Sequence, residues 1–194
     1  MAGTILAICG ASGSGKTTLA MRLERLGVCR VPSCTTRLRR VDEPKSSAIF
    51  VTSIEYQAML ACGDLLATVD FGGARYGIAR SLLADSLHEP VVVVVEPTGL
   101  APLKEFADDH GVPFCALYLE ASPALCAGRL AAHPERMSRD AAGPVRQNWK
   151  LAWPYNRCVS ATDPDRAFRE CLDLLAFPQP ALSMVAADIQ PQPV

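Results

Sequence analysis

The sequence lacks the features that mark exported, membrane-spanning or zinc-binding proteins. None of its eight cysteines forms a C-x-x-C pair, and no histidine stands near them at the spacing of a zinc site. No apolar run reaches about 18 residues, and no charged segment with a longer apolar stretch precedes the first strand-like segment. We therefore expect no membrane span and no export signal, but a cytoplasmic protein whose thiols are reduced and mostly packed.

The chain also lacks an excess of charge of either sign. It has 19 Lys and Arg against 20 Asp and Glu, which gives a net charge of -1. Proteins that track along phosphates need a basic face, so this balance argues against a dedicated nucleic-acid or membrane-surface binder, although a local basic cluster is compatible with it. A chain of 194 residues buries about 70 percent of the surface that its unfolded form exposes, so we expect a single enzyme-sized domain.

What the sequence does contain is a complete phosphate-binding loop. The pattern G-x-x-x-x-G-K-[ST] occupies residues 10–17 and follows an apolar run at 5–9. The glycines let successive N–H groups point at a polyphosphate, Lys16 adds a mobile positive charge, and the Thr17 hydroxyl is placed to ligate Mg²⁺. The helix expected near Lys16 directs its positive dipole end at the same anion. The motif occurs in ATPases, GTPases and kinases alike, so we predict that a nucleoside triphosphate with Mg²⁺ is bound by Gly10, Ala11, Ser12, Gly13, Ser14, Gly15, Lys16, Thr17 and Thr18, with Lys16 also catalytic.

Strand-like and helix-like segments alternate along the chain, which is the pattern of a parallel sheet covered by helices. Five consecutive valines, Val91 to Val95, suit a strand that is buried on both faces. The expected fold is a three-layer α/β domain with a central five-stranded parallel sheet. The predicted strands are 4–9, 28–34, 90–96, 113–119 and 157–161, and the predicted helices are 16–26, 99–110, 122–132, 144–153 and 164–176.

Two stretches interrupt this alternation. Residues 35–80 are too long for a simple crossover, and they contain short strand-like segments around a helix predicted at 53–62. We therefore expect a small inserted subdomain, which is a usual place for the binding site of a substrate that accepts a transferred group. Residues 133–143 are polar, carry arginines and end in Gly-Pro, which is typical of a mobile lid. The predicted core is therefore 1–34 with 81–177, and the Pro- and Gln-rich tail, 178–194, could exchange between chains of a homodimer.

An arginine-rich block follows the second predicted strand. It reads Ser-Cys-Thr-Thr-Arg-Leu-Arg-Arg over residues 33–40, with Arg37, Arg39 and Arg40 within four positions. Beyond the carboxyl end of a strand, where a doubly wound sheet opens its crevice, such a cluster can hold a second anionic group with bidentate guanidinium contacts. Further on, Tyr76 stands in a predicted glycine turn, where its hydroxyl either donates to the same phosphate or anchors the loop.

Taken together, these motifs resemble the guanylate kinase family from residue 4 to about residue 176. The resemblance rests on the phosphate loop, the 33–40 block, Phe50 with Met59 and Gly63, and the sequence Arg-Tyr-Gly at 75–77. It implies a P-loop kinase in which Arg37, Arg40 and Tyr76 hold the acceptor's phosphate, Arg37 also acts in catalysis, and Ser33 lies near the base. It also implies catalytic arginines in or after the lid, for which Arg136, Arg139 and Arg146 are the candidates.

The sequence departs from the family pattern at the acceptor's base. A phosphate-binding tyrosine is replaced by Ala48, the glutamate that reads guanine by Ala67, and a small hydroxyl residue by Ile78. An acidic pair after the third strand survives only as Glu96. A guanine edge without its acceptor costs about 1 to 3 kcal/mol in binding, so ordinary guanine recognition is expected to be altered. Asp70 and Glu96 are the nearest acidic residues that could replace the missing glutamate.

The leading hypothesis is ATP-dependent phosphorylation of a nucleoside or deoxynucleoside monophosphate, either GMP or dGMP or one with an unusual base. An ionised phosphate oxygen is already a nucleophile, so the reaction needs positioning and charge neutralisation rather than a general base. A ribose 1,5-bisphosphate phosphokinase is the main alternative, because those relatives also lack the guanine-reading glutamate. A kinase for modified bases in DNA and a non-catalytic guanylate-kinase-like binding module are less favoured, since the charge is balanced and Lys16 and Thr17 are intact.

Overall fold

The computed structural model describes residues 3–41, 43–132, 149–176 and 178, and it forms two sheets with flanking helices. The strands are β1 (Ile5–Cys9), β2 (Cys29–Arg30), β3 (Cys34–Thr35), β4 (Ile49–Phe50), β5 (Leu65–Phe71), β6 (Ala74–Ala79), β7 (Val91–Val94), β8 (Phe114–Glu120) and β9 (Arg157–Ser160). The α-helices within the described residues are α1 (Lys16–Glu24), α2 (Ser53–Ala61), α3 (Arg80–Asp85), α4 (Leu100–Asp109), α5 (Pro123–Ala131) and α6 (Pro164–Ala176).

The central sheet has five parallel strands in the order β2-β7-β1-β8-β9. All of Ile5–Cys9 is fully buried, because β1 lies in the middle of the sheet between β7 and β8. A parallel sheet needs cover on both faces, which explains the unbroken apolar sequence of these strands. The predicted α/β fold with a five-stranded parallel sheet is confirmed.

Alternation along β1 divides the core into two layers. Ile5, Ala7 and Cys9 face one side, and Leu6 and Ile8 face the other. The first layer packs against α3 and α4 through Leu83, Leu103 and Phe106, and the second packs against α1 and α6 through Leu19, Leu23, Cys171 and Leu174. The sheet is thus the middle of three layers.

The second sheet has four strands in the order β4-β3-β6-β5. Strands β5 and β6 form an antiparallel hairpin, β3 pairs antiparallel with β6, and β4 pairs parallel with β3. The register of the hairpin shifts between Leu66 and Val69, which is a β-bulge. All four strands come from residues 34–79, close to the insertion predicted at 35–80.

Two local predictions are wrong, and one helix is missing from the predictions. The strand predicted at 28–34 is two strands in different sheets, because the chain leaves β2 at Val31 and Pro32 has no N–H to continue the ladder. The glycine turn predicted around Tyr76 is confined to Gly72 and Gly73, and the tyrosine lies in β6. The helix that was not predicted is α3.

Several predictions fall outside the described residues. They are the lid at 133–143, most of the helix at 144–153, the arginines Arg136, Arg139 and Arg146, and all of the 178–194 tail except Pro178. In the part of the chain that is described, no helix is long and apolar enough to span a membrane. All eight cysteines lie in described segments and are free thiols, and five of them are buried.

Candidate active site

The phosphate loop connects β1 to α1, and its glycines are required by geometry. Gly10, Gly13 and Gly15 have φ values of 146°, 78° and 105°. A Cβ atom would lie 2.5 Å from the Leu119 carbonyl oxygen if placed at Gly10, and 2.8 Å from that of Cys126 if placed at Gly13. Only glycine fits at these two positions, so the loop can curve tightly against β8 and α5.

The loop presents donors to an anion. Gly15 is the N-cap of α1 and offers no side-chain cap, so the first N–H groups of the helix remain directed at the loop. The Lys16 Nζ donates to the carbonyl oxygens of Gly10 (2.7 Å) and Ala11 (2.8 Å) and is thereby held inside the loop. The Ser14 side chain is buried, and its Oγ has no hydrogen-bond partner among the described residues. These features fit a polyphosphate.

Arg129 in α5 fixes the loop from behind, and sequence reasoning missed it. One of its Nη atoms donates to the Ser14 carbonyl oxygen at 2.7 Å, and the other donates to the Ala161 carbonyl oxygen at 2.9 Å. The guanidinium therefore ties the phosphate loop to the turn that follows β9. Nothing in the sequence distinguishes Arg129 from any other basic residue near the C-terminus of a helix, so no signal pointed to it.

A mostly apolar cavity of about 300 Å³ adjoins the outer side of the loop. Thr18, Arg22 and Leu119 line it together with Ala161 and Pro164. Thr18, predicted to bind the cofactor, therefore faces this cavity rather than the tip of the loop. A flat, apolar group attached to a polyphosphate in the loop would fit here.

On the acceptor side, Arg37 is held by Glu43. Its two Nη atoms donate to the two carboxylate oxygens at 2.7 Å each, and one of them also donates to the Leu38 carbonyl oxygen at 2.9 Å. The Arg37 guanidinium also lies 5.2 Å from the centre of the Phe50 ring. Burial alone would lower the pKa of Arg37, but the hydrogen bonds with Glu43 and Tyr76 raise it, so Arg37 is cationic.

Glu43 is the second functional residue that sequence reasoning missed. It accepts from the Arg40 backbone N–H at 3.2 Å, and an Arg40 Nη atom lies 3.8 Å from its carboxylate. Burial alone would raise the pKa of Glu43, but hydrogen bonds from Arg37 and from the Arg40 N–H lower it to about 2. A usable signal was present, since the sequence places Glu43 three residues after the arginine-rich block.

The two predicted half-sites meet in one cavity of about 300 Å³. The donor half contributes Gly10, Ser12, Lys16 and Thr17, and the acceptor half contributes Ser33, Arg37, Arg40, Glu43 and Tyr76; Glu96 and Trp149 also line the cavity. The structure therefore brings every described candidate of the acceptor side into this space except Asp70. Donor and acceptor phosphates would face each other across it.

Asp70 does not line the cavity. Leu66 and Val69 pair with Ile78 and Tyr76, which are two residues apart on β6, so the bulge puts Leu66 and Val69 on the same face of the hairpin. Val69 and Phe71 line the cavity, while Asp70 is exposed on the opposite face of β5. The hypothesis that Asp70 replaces a base-reading glutamate has no structural support, whereas Glu96 remains a candidate.

These features agree with known proteins. The family model described as AAA domain matches residues 5–150, which is most of the chain. The chain belongs to the AAA domain family. Its fold is that of a guanylate kinase, since the crystal structure of guanylate kinase from Anaplasma phagocytophilum superposes with a TM-score of 0.65 at 20% identity, over 90% of this chain and 85% of that one.

Curated relatives of this AAA domain protein are also guanylate kinases. The one from Streptomyces kasugaensis is 33% identical over 112 residues, which are 55% of this chain and 55% of the relative. The one from Thermotoga maritima is 34% identical over 99 residues, 50% of this chain and 48% of the relative. The chain thus spans about half the length of the curated relatives it matches, and the resemblance to guanylate kinases seen in the sequence is confirmed.

The wall of the cavity away from the arginines is apolar in this AAA domain protein. It is formed by Ala48, Ala67, Val69, Phe71, Ile78, Val94 and Val95. Within the described segments, Ala67 is the one non-glycine residue with positive φ, at 51°. A Cβ at Gly99 would lie 2.7 Å from the Ala67 Cβ, so β5 is in close contact with the 3₁₀ turn Pro97–Gly99 that follows β7. The wall offers a methyl group at Ala67, the position at which the resemblance to guanylate kinases implies a base-reading glutamate.

Proposed function

We propose that the protein transfers the γ-phosphoryl group of ATP to the phosphate of a nucleoside or deoxynucleoside monophosphate, which yields the diphosphate. One observation carries the proposal: Lys16 and Thr17 line the same cavity as Arg37, Arg40 and Tyr76. A generic nucleoside triphosphatase needs only the first set of residues. The second set is what a phosphate acceptor requires.

On the donor side, the loop's N–H groups and Lys16 would bind the β- and γ-phosphates, and Thr17 would ligate Mg²⁺. In the described residues no group of three His, Cys, Asp or Glu side chains could hold a metal ion, so the ion would be held largely by the phosphates themselves. Mg-ATP held there would supply the phosphoryl group, and its Mg²⁺ would neutralise negative charge on the phosphates. The cavity beside Thr18 would take the donor's base.

On the acceptor side, Arg37, Arg40 and Tyr76 would orient the monophosphate so that one of its oxygens faces the donor. No general base is required, because that oxygen is already ionised at neutral pH. The site thus acts by alignment and charge neutralisation within a partly water-excluded cavity. Arg136, Arg139 and Arg146 remain the proposed source of additional positive charge.

Phosphorylation of ribose 1,5-bisphosphate is the second candidate. The apolar wall around Ala67 favours it, because that wall has no carboxylate to read the edge of a guanine ring. A sugar phosphate would leave part of the wall without a contact. A nucleoside monophosphate is therefore the preferred acceptor, because Val69 and Phe71 offer the flat apolar surface that a base needs.

A coupled assay with Mg-ATP over ribo- and deoxyribonucleoside monophosphates and ribose 1,5-bisphosphate tests the proposal. We expect turnover of at least one nucleoside monophosphate and little preference for GMP. Turnover of ribose 1,5-bisphosphate alone would replace the leading function by the second one. Absence of turnover with every compound would contradict both.

Two variants test the assignment of the residues. Lys16→Ala and Arg37→Ala should each lower kcat/KM by about 10³-fold or more while the protein stays folded, because each removes a charge that acts on the transferring group or its acceptor. Lys104→Ala is the matched control, since this partly exposed lysine lies on α4, where it pairs with Asp108. Near-normal activity of either site variant would show that the assignment is wrong.

A further inference from the structure

A carboxylate lies among the arginines that are proposed to bind the acceptor's phosphate. The side chains of Arg37 and Glu43 are only 9% and 13% exposed, whereas the partners of the surface ion pair Arg22–Asp165 are 42% and 65% exposed. Water screens the surface pair but largely not the buried one. The Arg37–Glu43 pair is therefore a largely buried ion pair in the wall of the cavity.

Glu43 engages Arg37 through one particular edge of the guanidinium. Arg37 has five N–H donors, of which the carboxylate takes two and the Leu38 carbonyl oxygen takes a third. The remaining two lie on the edge formed by Nε and Nη2, and Tyr76 is a further side-chain hydrogen-bond partner of Arg37. A phosphate in the cavity can engage this edge together with the Tyr76 hydroxyl, which also lines the cavity.

We propose that Glu43 is a positioning residue, which fixes the plane of the Arg37 guanidinium for the acceptor's phosphate and at the same time weakens the attraction of the site for that phosphate. The expected change in kcat rests on the proposed function. The expected change in affinity for phosphate requires only that the arginines form an anion site.

The two effects follow from the charges. Arg37 and Arg40 bring two positive charges, and Glu43 cancels one of them. A phosphate that contacts the same arginines comes close to the carboxylate, and like charges at such distances repel. Removal of the charge should tighten phosphate binding, while removal of the two short hydrogen bonds should let Arg37 rotate and misalign the reacting oxygen.

Three variants separate these effects. Glu43→Gln removes the charge, Glu43→Asp keeps the charge but shortens the side chain, and Glu105→Gln removes a carboxylate from the exposed face of α4 as the matched control. The measurements are the Kd of inorganic phosphate by titration calorimetry, and kcat and KM with the monophosphate that the assay above identifies. Circular dichroism checks that each variant is folded.

We expect Glu43→Gln to bind phosphate about fivefold or more tightly, because a neighbouring negative charge is gone. Its kcat should nevertheless fall by about tenfold or more, because small misplacements of reacting groups are costly in rate. Glu43→Asp should bind phosphate about as wild type does, within roughly twofold, because it keeps the negative charge. It should also have a lower kcat, because the shorter side chain no longer holds the Arg37 guanidinium in place.

Other outcomes overturn the inference. If Glu43→Gln binds phosphate no more tightly than Glu105→Gln does, or keeps the wild-type kcat, Glu43 is only a structural ion pair. If wild type binds no phosphate at millimolar concentration, the arginines are not an anion site and the inference is wrong. If the proposed function alone is wrong, no acceptor is turned over in the assay. The phosphate titrations still test the effect of the Glu43 charge in that case.

Discussion

At the scale of single residues, Lys16 and Arg37 each have hydrogen-bond partners within their own loop. Lys16 donates to carbonyl oxygens five and six residues away, and Arg37 pairs with a carboxylate six residues away. Short connections keep the entropy of closing these contacts low. The geometry of each half-site is therefore largely encoded within its own segment, and only the meeting of the two halves needs the rest of the fold.

The glycines of the phosphate loop give a test at this scale. Gly13→Ala should lower the free energy of unfolding by about 2 to 4 kcal/mol, because the Cβ meets both an unfavourable positive φ and the Cys126 carbonyl oxygen. Gly27→Ala shares the positive φ but has nothing within 4 Å, so it should cost only about 1 kcal/mol. Urea unfolding measures both, and equal losses would contradict the crowding of Gly13.

At the scale of elements, helix α2 supports the acceptor side of the cavity. Its start is fixed by a capping box in which Thr52 accepts from the Glu55 N–H and the Glu55 carboxylate accepts from the Thr52 N–H. From this helix the buried Tyr56 hydroxyl donates to the Tyr76 carbonyl oxygen at 2.8 Å. The helix thus holds the strand whose Tyr76 side chain enters the cavity.

Tyr56→Phe should therefore change stability and function together. Loss of the hydrogen bond should lower the free energy of unfolding by about 1 kcal/mol. It should also raise KM for the acceptor, because β6 is less firmly held, while KM for ATP stays the same. Ser122→Ala is the control, since it removes the N-cap of α5 at a similar cost of about 1 kcal/mol. An unchanged acceptor KM in Tyr56→Phe would show that α2 does not position Tyr76.

At the scale of the whole molecule, the cavity exists because two sheets meet. The carboxyl ends of β1 and β7 supply the phosphate loop and Val94 to Glu96, and the β5–β6 hairpin closes the space from the other sheet. Ala67 of the hairpin is also in close contact with Gly99, in the 3₁₀ turn that follows β7. Donor and acceptor groups therefore come from different sheets and approach each other only in the folded chain.

The free energy of unfolding of the whole domain should depend on the ionisation of Glu43. Folding lowers the pKa of this carboxyl from 4.5 to about 2, so in this window the unfolded chain binds more protons than the folded one. The stabilisation is fully present above pH 4.5 and is lost as the pH falls towards 2. The difference in free energy of unfolding between wild type and Glu43→Gln should shrink from pH 6 to pH 2.5, as urea unfolding can measure. A difference that stays constant from pH 6 to pH 2.5 would contradict the lowered pKa.

The sequence by itself determined the parts of this protein that depend on neighbours along the chain. The phosphate loop could be predicted because its glycines and Lys16 act through local backbone geometry, and the parallel sheet could be predicted because strands buried on both faces have continuous apolar sequences. The placement of Arg37, Arg40 and Tyr76 in one cavity was also expected from the sequence, through the resemblance to guanylate kinases.

Only the tertiary structure decided which side chains face that cavity. The bulge at Ala67 and Thr68 reverses the alternation of β5, so Val69 faces the cavity and Asp70 faces outward, and no local pattern announces a bulge before the partner strand is known. The contacts of Arg129 depend in the same way on the approach of α5 to a loop more than 100 residues earlier. Strand register and long-range packing are properties of paired elements, so a single segment of sequence does not contain them.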